Sequence, residues 1–433
     1  MGATPEDSCG DTHDVACTWE GMLQSSSSST ALNVGMGLLK RSSSAMVAPI
    51  LVNCLGTSSD DGECSSSTDV GCESAKRTST ASSCDACSSQ RDGGPFVTRI
   101  SFDEMSKGRY KTGVRYCMET WPENVILRAL DTFLAMASMF GYTATLALIP
   151  MLAMIAYLLP WRLPAWGIGL FITGICLSVL LPAKPLLWER FQHSTLVSSW
   201  RRYFAFSLAV EQKLDPQGKY IFAGFPHGVF PVSELLCISL MLKVWPGLRV
   251  YSIAASSVFS VPVWRHIMAW TGARPATRSW FRKLLQQGSV SLVPGGIAEM
   301  FLWEEHRDVI KVRDRKGFVR LAVEQGVALV PVYHFGNSKL FSWVAPRSWE
   351  VAARRVRMAL GYPKGRWGTL MPRNEPLFMV VGAPIPVPKI APGQPGYAEA
   401  VDDAHSQLVK ALVDLFEKYK GQYGWHDREL VVA

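Results

Sequence analysis

Apolar and polar positions fall into three regimes along this chain. Residues 1–118 show almost no periodicity and are rich in serine, with "SSSSST" from Ser25 and "STASSCDACSSQRDGG" from Ser79. Such a stretch cannot bury enough apolar surface to offset the entropy of ordering it, so it predicts a disordered tail. From Thr132 to Leu159 there is no charged residue, and after "PWRLP" a second uncharged run covers Ala165 to Ala183. A membrane-spanning helix needs roughly 20 apolar residues. Residues 119–183 therefore predict a helical hairpin that crosses the bilayer or re-enters it from one face. Basic residues flank both outer ends: Lys111, Arg115 and Arg128 before, Lys184, Arg190, Arg201 and Arg202 after. The positive-inside rule then places both termini in the cytosol.

Residues 184–433 have the pattern of a folded domain. "PLLWERFQHSTLVSSWRRYFAFSLAV" mixes Trp188, Trp200, Phe204 and Phe206 with arginines, which predicts a helix at headgroup level. Then come short β-branched runs bounded by Gly or Pro: "KYIFAG", "RVYSIAA", "SVSLVPGG", "VALVPVYHF" and "LFMVVGAP". Helical stretches separate them at Val232–Lys243, Val261–Trp270, Arg278–Gln287 and Gly317–Gln325. Strands that are apolar on both faces and alternate with helices imply a mostly parallel α/β sheet. Near the C-terminus, Val401, His405, Leu408, Leu412, Leu415 and Tyr419 share one face of an amphipathic helix.

Composition sharpens this picture. The formal net charge of +8 suits a partner bearing phosphates, and 48% hydrophobic residues with a mean hydropathy of +0.11 favour a lipid bilayer over nucleic acid. Seven of the ten cysteines lie in the first ninety positions, so the folded part is not a disulfide scaffold. "CDAC" at Cys84–Cys87 has no second pair and reads as a coincidence of a Ser/Cys-biased tail. There is no HExxH, paired CxxC or GxGxxG, so neither a metal nor a dinucleotide cofactor is expected.

The candidate chemistry sits where strands end. In "YIFAGFPHGVFP", His227 lies just past a strand, between Pro226 and Gly228, among Phe222, Phe225, Val229 and Phe230. Ligand sites in open α/β sheets lie beyond the carboxyl ends of strands. A dry setting keeps an imidazole neutral, as a general base requires, though a histidine shaping the turn fits equally well. In "SVSLVPGGIAEM", Gly295 and Gly296 follow a strand; their amides suit an anion or oxyanion, or simply a turn. Glu299, one turn on, either orients His227 or caps a helix. Arg278, Arg315, Lys316 and Arg320 form basic faces that read as solvated surface or as a nucleotide-phosphate site. His405 is expected in the core and His334 is secondary.

Taken together, the hairpin, "FPHG", "RPATR", "VPGGIAE", "RKGFVRLAVEQGVALVPVYHFG", "VGAPIPVP" and "LFEKYK", in this order from about residue 130 to about 425, resemble the type-two diacylglycerol acyltransferase family. That family includes monoacylglycerol and wax-alcohol acyltransferases. The resemblance implies a membrane-embedded hairpin followed by an α/β acyltransferase domain. It implies transfer of a fatty acyl group from acyl-CoA, a substrate rather than a cofactor, to diacylglycerol, with monoacylglycerol or a wax alcohol as alternative acceptors. It also implies the endoplasmic reticulum membrane or lipid droplets as location, and self-association into a homo-oligomer. His227 corresponds to the second histidine of the family's His-Pro-His-Gly motif; Phe225 stands in place of the first. The implied roles are His227 as base, Glu299 as holder of its tautomer, and Gly228, Gly295 and Gly296 as oxyanion or anion contacts. Arg278, Arg315, Lys316 and Arg320 would bind the phosphates of acyl-CoA. A lysophospholipid-type acyltransferase would carry an acid five positions after the histidine, where this chain has Val232. A non-catalytic lipid-binding protein would need none of the ordered motifs.

Overall fold

The computed structural model describes residues 97–158, 165–184 and 186–433. The tail before Val97, the Cys84–Cys87 pair and the "PWRLP" connection lie outside the described residues.

Thirteen strands appear among the described residues. They are β1 (Thr98–Arg99), β2 (Tyr116–Cys117), β3 (Ser207–Val210), β4 (Tyr220–Phe225), β5 (Val250–Ala254), β6 (Ala273–Pro275) and β7 (Ser289–Leu292). There follow β8 (Arg307–Ile310), β9 (Ala328–Phe335), β10 (Ser342–Val344), β11 (Tyr362–Lys364), β12 (Phe378–Val381) and β13 (Glu429–Val432). The helices are α1 (Phe102–Ser106), α2 (Val125–Leu158), α3 (Ala165–Leu180), α4 (Glu189–Gln192), α5 (Thr195–Tyr203) and α6 (Val232–Val244). The remainder are α7 (Trp264–Trp270), α8 (Arg278–Gln287), α9 (Gly296–Met300), α10 (Gly317–Gln325), α11 (Trp349–Val356) and α12 (Tyr397–Tyr423).

Nine strands form one sheet in the order β1–β2–β3–β12–β9–β4–β7–β5–β6. The strip β9–β4–β7–β5–β6 is parallel throughout, and β12 enters antiparallel to β9. Both faces of the strip are buried, which is why its strands are apolar on both sides. On one face Phe222, Val330 and Val332 meet Leu236 and Leu240 of α6 and Trp200 of α5. On the other, Ile221, Val290 and Leu329 meet Leu284 of α8, Phe318 of α10 and Leu408 of α12. The expected apolar face of the C-terminal helix is buried, and His405 accepts its core place with Nε2 2.9 Å from the carbonyl of Val312.

Two expectations need correcting. Residues 97–118, read as part of the tail, belong to the folded domain: β2 pairs with β3, and Met105, Tyr110, Tyr116 and Met118 are buried in the core that holds Phe222. Arg115, read as a flanking charge, is buried, bonds Ser207 Oγ and the Gln422 carbonyl at 2.8 Å each, and lies over the Phe378 ring. Strands of two residues carry no period, so the sequence could not announce them. Likewise the expected headgroup-level helix is an internal one. Trp200, Arg201 and Tyr203 of α5 are buried, with Arg201 paired to Glu119 and Arg202 to Asp131. Those carboxylates let the arginines go inside.

α2 holds 34 residues and is about 51 Å long at 1.5 Å per residue, whereas α3, with 16, is about 24 Å. Within α2, Val125–Thr145 is long and apolar enough to cross a membrane. One stripe of that helix (Asp131, Ala135, Met139 and Thr143) is buried on the domain, while Val125, Ile126, Leu130 and Phe133 are exposed.

Candidate active site

Because β4, β7 and β9 run parallel and adjacent, the loops leaving their carboxyl ends converge on one edge. Those loops begin at Pro226, Val293 and Gly336. This convergence brings together His227, Gly295 with Glu299, and Asn337.

His227 keeps some solvent contact, but its ring is packed deeply enough to be desolvated. Its Nδ1 lies 2.8 Å from the carbonyl oxygen of its neighbour Gly228. A carbonyl can only accept, so in the neutral ring Nδ1 carries the proton and Nε2 the lone pair. Burial holds the imidazole below the usual 6.5; the Gly228 carbonyl opposes this and the Arg315 charge adds to it.

Glu299 is buried, and its carboxylate holds backbone rather than the imidazole. One oxygen accepts from the backbone N–H of His227 and the other from that of Lys311 at 2.9 Å. The expectation that it would fix the His227 tautomer is thus replaced: the Gly228 carbonyl does that, and Glu299 pins the loop. Burial pushes the Glu299 carboxyl up to about 7; the two amides pull it down, Asp308 adds to the rise and Arg315 opposes it. Gly295 makes the arrangement sterically feasible, because a Cβ there would sit 2.1 Å from Glu299 Oε2. Gly296 opens the five-residue α9.

Gly228 has φ +60°, and a Cβ on it would stand 2.8 Å from Asn337 Nδ2. Asn337, missed in the sequence, ties the loop together. Its Nδ2 donates to the carbonyls of His227 (2.8 Å) and Pro226 (3.3 Å), and its Oδ1 accepts from the Ser233 amide at the start of α6. The signal was available: "FGNSK" follows the strand beside β4, on the same sheet edge. Also missed was Glu234, whose Oε2 lies 3.6 Å from Nε2 of the buried His334.

The four basic candidates do not form one group. Arg315 is buried and donates to the Gly295 carbonyl at 3.3 Å, so it reaches the site. Arg278 shares the Glu324 carboxylate with Arg282, and Lys316 pairs with Asp402 at 2.8 Å. Arg320 lies half-buried on α10. An open cleft beside the loop is lined by Pro226, Gly228, Glu299, Trp303, Arg307 and Ser338, among others. Ser338 is no free nucleophile, since its Oγ donates to buried Asp308 at 2.7 Å.

A family model described as diacylglycerol acyltransferase matches residues 170–433, more than half of the chain. The chain belongs to the diacylglycerol acyltransferase family. The match takes in every site residue named above and starts some forty residues beyond position 130, inside α3. The chain is 30% identical over 264 residues to the Bos taurus protein named diacylglycerol O-acyltransferase 2-like protein 6, covering 55% of this chain and 74% of that one. It is 30% identical over 276 residues to diacylglycerol O-acyltransferase 2 of Danio rerio, covering 56% and 73%. It is also 30% identical over 255 residues to that of Homo sapiens, covering 54% and 64%. Among solved structures, the 1-acyl-sn-glycerophosphate acyltransferase PlsC of Thermotoga maritima matches with 14% identity and a TM-score of 0.31, over 63% of this chain and 97% of that one. A score that low says nothing about the arrangement of the site.

Proposed function

We propose that this member of the diacylglycerol acyltransferase family transfers a fatty acyl group from acyl-CoA to diacylglycerol, making triacylglycerol, with His227 as base. The observation that carries the mechanism is the commitment of Nδ1 to the Gly228 carbonyl, which leaves Nε2 as the acceptor. Nε2 takes the proton of the acceptor hydroxyl while its oxygen attacks the thioester carbonyl. The tetrahedral intermediate then expels the CoA thiolate, which takes the proton back from the imidazolium. A positioned base contributes typically about 10²–10⁴-fold. Gly295, Gly296 and Gly228 are the proposed source of oxyanion contacts. For the CoA phosphates, Arg320 is the readiest of the basic candidates, because Arg278 and Lys316 would first have to exchange a carboxylate partner.

The exposed apolar side chains of α2 and α3 support membrane embedding, which brings the two lipid substrates to the site. α2 and α3 would form a hairpin that either crosses the bilayer or re-enters it from one face. Both termini then face the cytosol, at the endoplasmic reticulum or a lipid droplet.

The test is His227→Ala in microsomes, following labelled acyl transfer to diacylglycerol, monoacylglycerol and a long-chain alcohol in parallel. Activity should fall by about 10²-fold or more. Retained activity removes His227 from the mechanism, and preference for another acceptor overturns the diacylglycerol assignment.

A further inference from the structure

Between Phe341 and Met371, both buried, the chain leaves the core as β10, α11 and β11, and presents apolar side chains to solvent. Val344, Trp349, Val351, Met358, Tyr362 and Trp367 are between 44% and 74% exposed. This is a built excursion rather than a loose loop. β10 and β11 pair antiparallel, and Ala353 of α11 is buried. Arg373 ties the stem by donating to the Lys339 carbonyl, Ser342 Oγ and the Lys364 carbonyl at 2.9, 2.7 and 3.1 Å. Natural soluble surfaces do not leave two tryptophans and several aliphatics on one small unit without a partner.

The charges on the same unit say which partner. Residues 342–370 contain six basic side chains, Arg347, Arg354, Arg355, Arg357, Lys364 and Arg366, against a single acid, Glu350. α11 reads "WEVAARRV", apolar and basic in one short helix, and the Arg366 guanidinium stacks 4.4 Å from the centre of the Trp367 ring. Exposed aromatics interleaved with arginines are the composition of a helix lying in a headgroup layer. The unit is also continuous with the exposed apolar helix α2, because Thr143 Oγ1 donates to the Leu370 carbonyl at 2.6 Å. On its other side α11 rests against α9, the helix that carries Glu299.

We propose that residues 342–370 form a second membrane-contact surface, separate from the hairpin, which seats the catalytic edge on anionic phospholipid headgroups. Trp349, Val351 and Trp367 enter the interface, Arg355 and Arg347 meet the phosphates, and Arg354, which lies 3.7 Å from Glu350, exchanges that partner for one. The proposal shares with the preceding reading only the placement of α2 at the bilayer; it does not depend on the acyl acceptor.

The experiment uses the full-length chain in phosphatidylcholine vesicles, with and without phosphatidylserine, and a phospholipid carrying a photoactivatable diazirine near its headgroup. Labelled peptides are mapped by mass spectrometry. Peptides spanning 344–367 should label several-fold more than the exposed Pro/Gly-rich loop 391–396, and more strongly with phosphatidylserine. Arg354→Gln and Arg355→Gln should each lower that labelling by about fivefold, the factor expected for one charge worth about 1 kcal/mol at an anionic surface. The comparison between the two lipid compositions needs no variant, so a folding defect cannot mask the answer. Labelling of α2 with none above the loop level at 344–367 overturns the proposal and leaves the hairpin standing; absence from both overturns the two together. Cross-links joining 344–367 of two copies would instead make this face a protein interface, which also overturns it.

Discussion

Replacing Glu299 with Gln separates two opposed forces on one carboxyl. Burial lifts its pKa from 4.5 to about 7, even though two backbone amides donate to it. That rise corresponds to roughly 3 kcal/mol of stability. Because the folded value lies above the unfolded one, the fold binds this proton more tightly. The associated stability is complete below about 4.5 and is lost as pH climbs through 7. Gln, like the protonated carboxyl, is uncharged at every pH. Relative to the wild type, Glu299→Gln should therefore gain up to about 3 kcal/mol between pH 4.5 and pH 8, starting about 1–3 kcal/mol below it because its –NH2 cannot accept from the second backbone N–H. Thermal unfolding of purified protein in detergent, over about pH 5 to 8, should show the difference between the two proteins move by roughly 6 °C in favour of Gln. Activity should move the other way. Gln offers a single acceptor oxygen where two amides need one each, so the N–H of His227 or Lys311 is left unpaired at about 1–3 kcal/mol. If all of that falls on loop order, kcat/KM drops by about 5- to 150-fold. A stability gap that stays constant with pH, or that favours the wild type as pH rises, would show that the two amides outweigh burial and refute the reasoning.

Two further outcomes follow from the same geometry. The depressed pKa of His227 keeps its ring neutral below the usual 6.5, so the acid limb of kcat/KM against pH should fall at a lower pH than 6.5, and a limb above that value would contradict the desolvated setting. Asn337→Ala removes the partner of two carbonyls and one amide, and should cut kcat/KM by about tenfold or more; Asn337→Asp should not rescue it, because a carboxylate would face the carbonyls of Pro226 and His227, and wild-type kinetics in either variant would dismiss the clamp.

Much of the fold was legible because it rests on local pattern. Five short apolar runs bounded by Gly or Pro became β4, β5, β7, β9 and β12, and the spacing of Leu408, Leu412 and Leu415 marked the buried face of α12. Residues such as Arg115 and Arg201 misled, since their charge suggests a membrane flank until Ser207 or Glu119 is seen beside them. Strands as short as β1 and β2 have no period to detect and owe their conformation to the pairing with β3.

By itself the sequence determined which residues gather at one edge of the sheet: a histidine just past a strand, a double glycine past another, and apolar runs ahead of both. Side-chain type and strand-end position are properties of neighbours in the chain, so they can be read from it. Only tertiary structure decided what each group touches. Glu299 lies 72 positions from His227, and its carboxylate meets the backbone amide rather than the ring. Asn337 lies 110 positions away and closes the loop from another strand. Such partnerships depend on which strands are adjacent and on where desolvation beats hydrogen bonding, and neither is written in a local pattern.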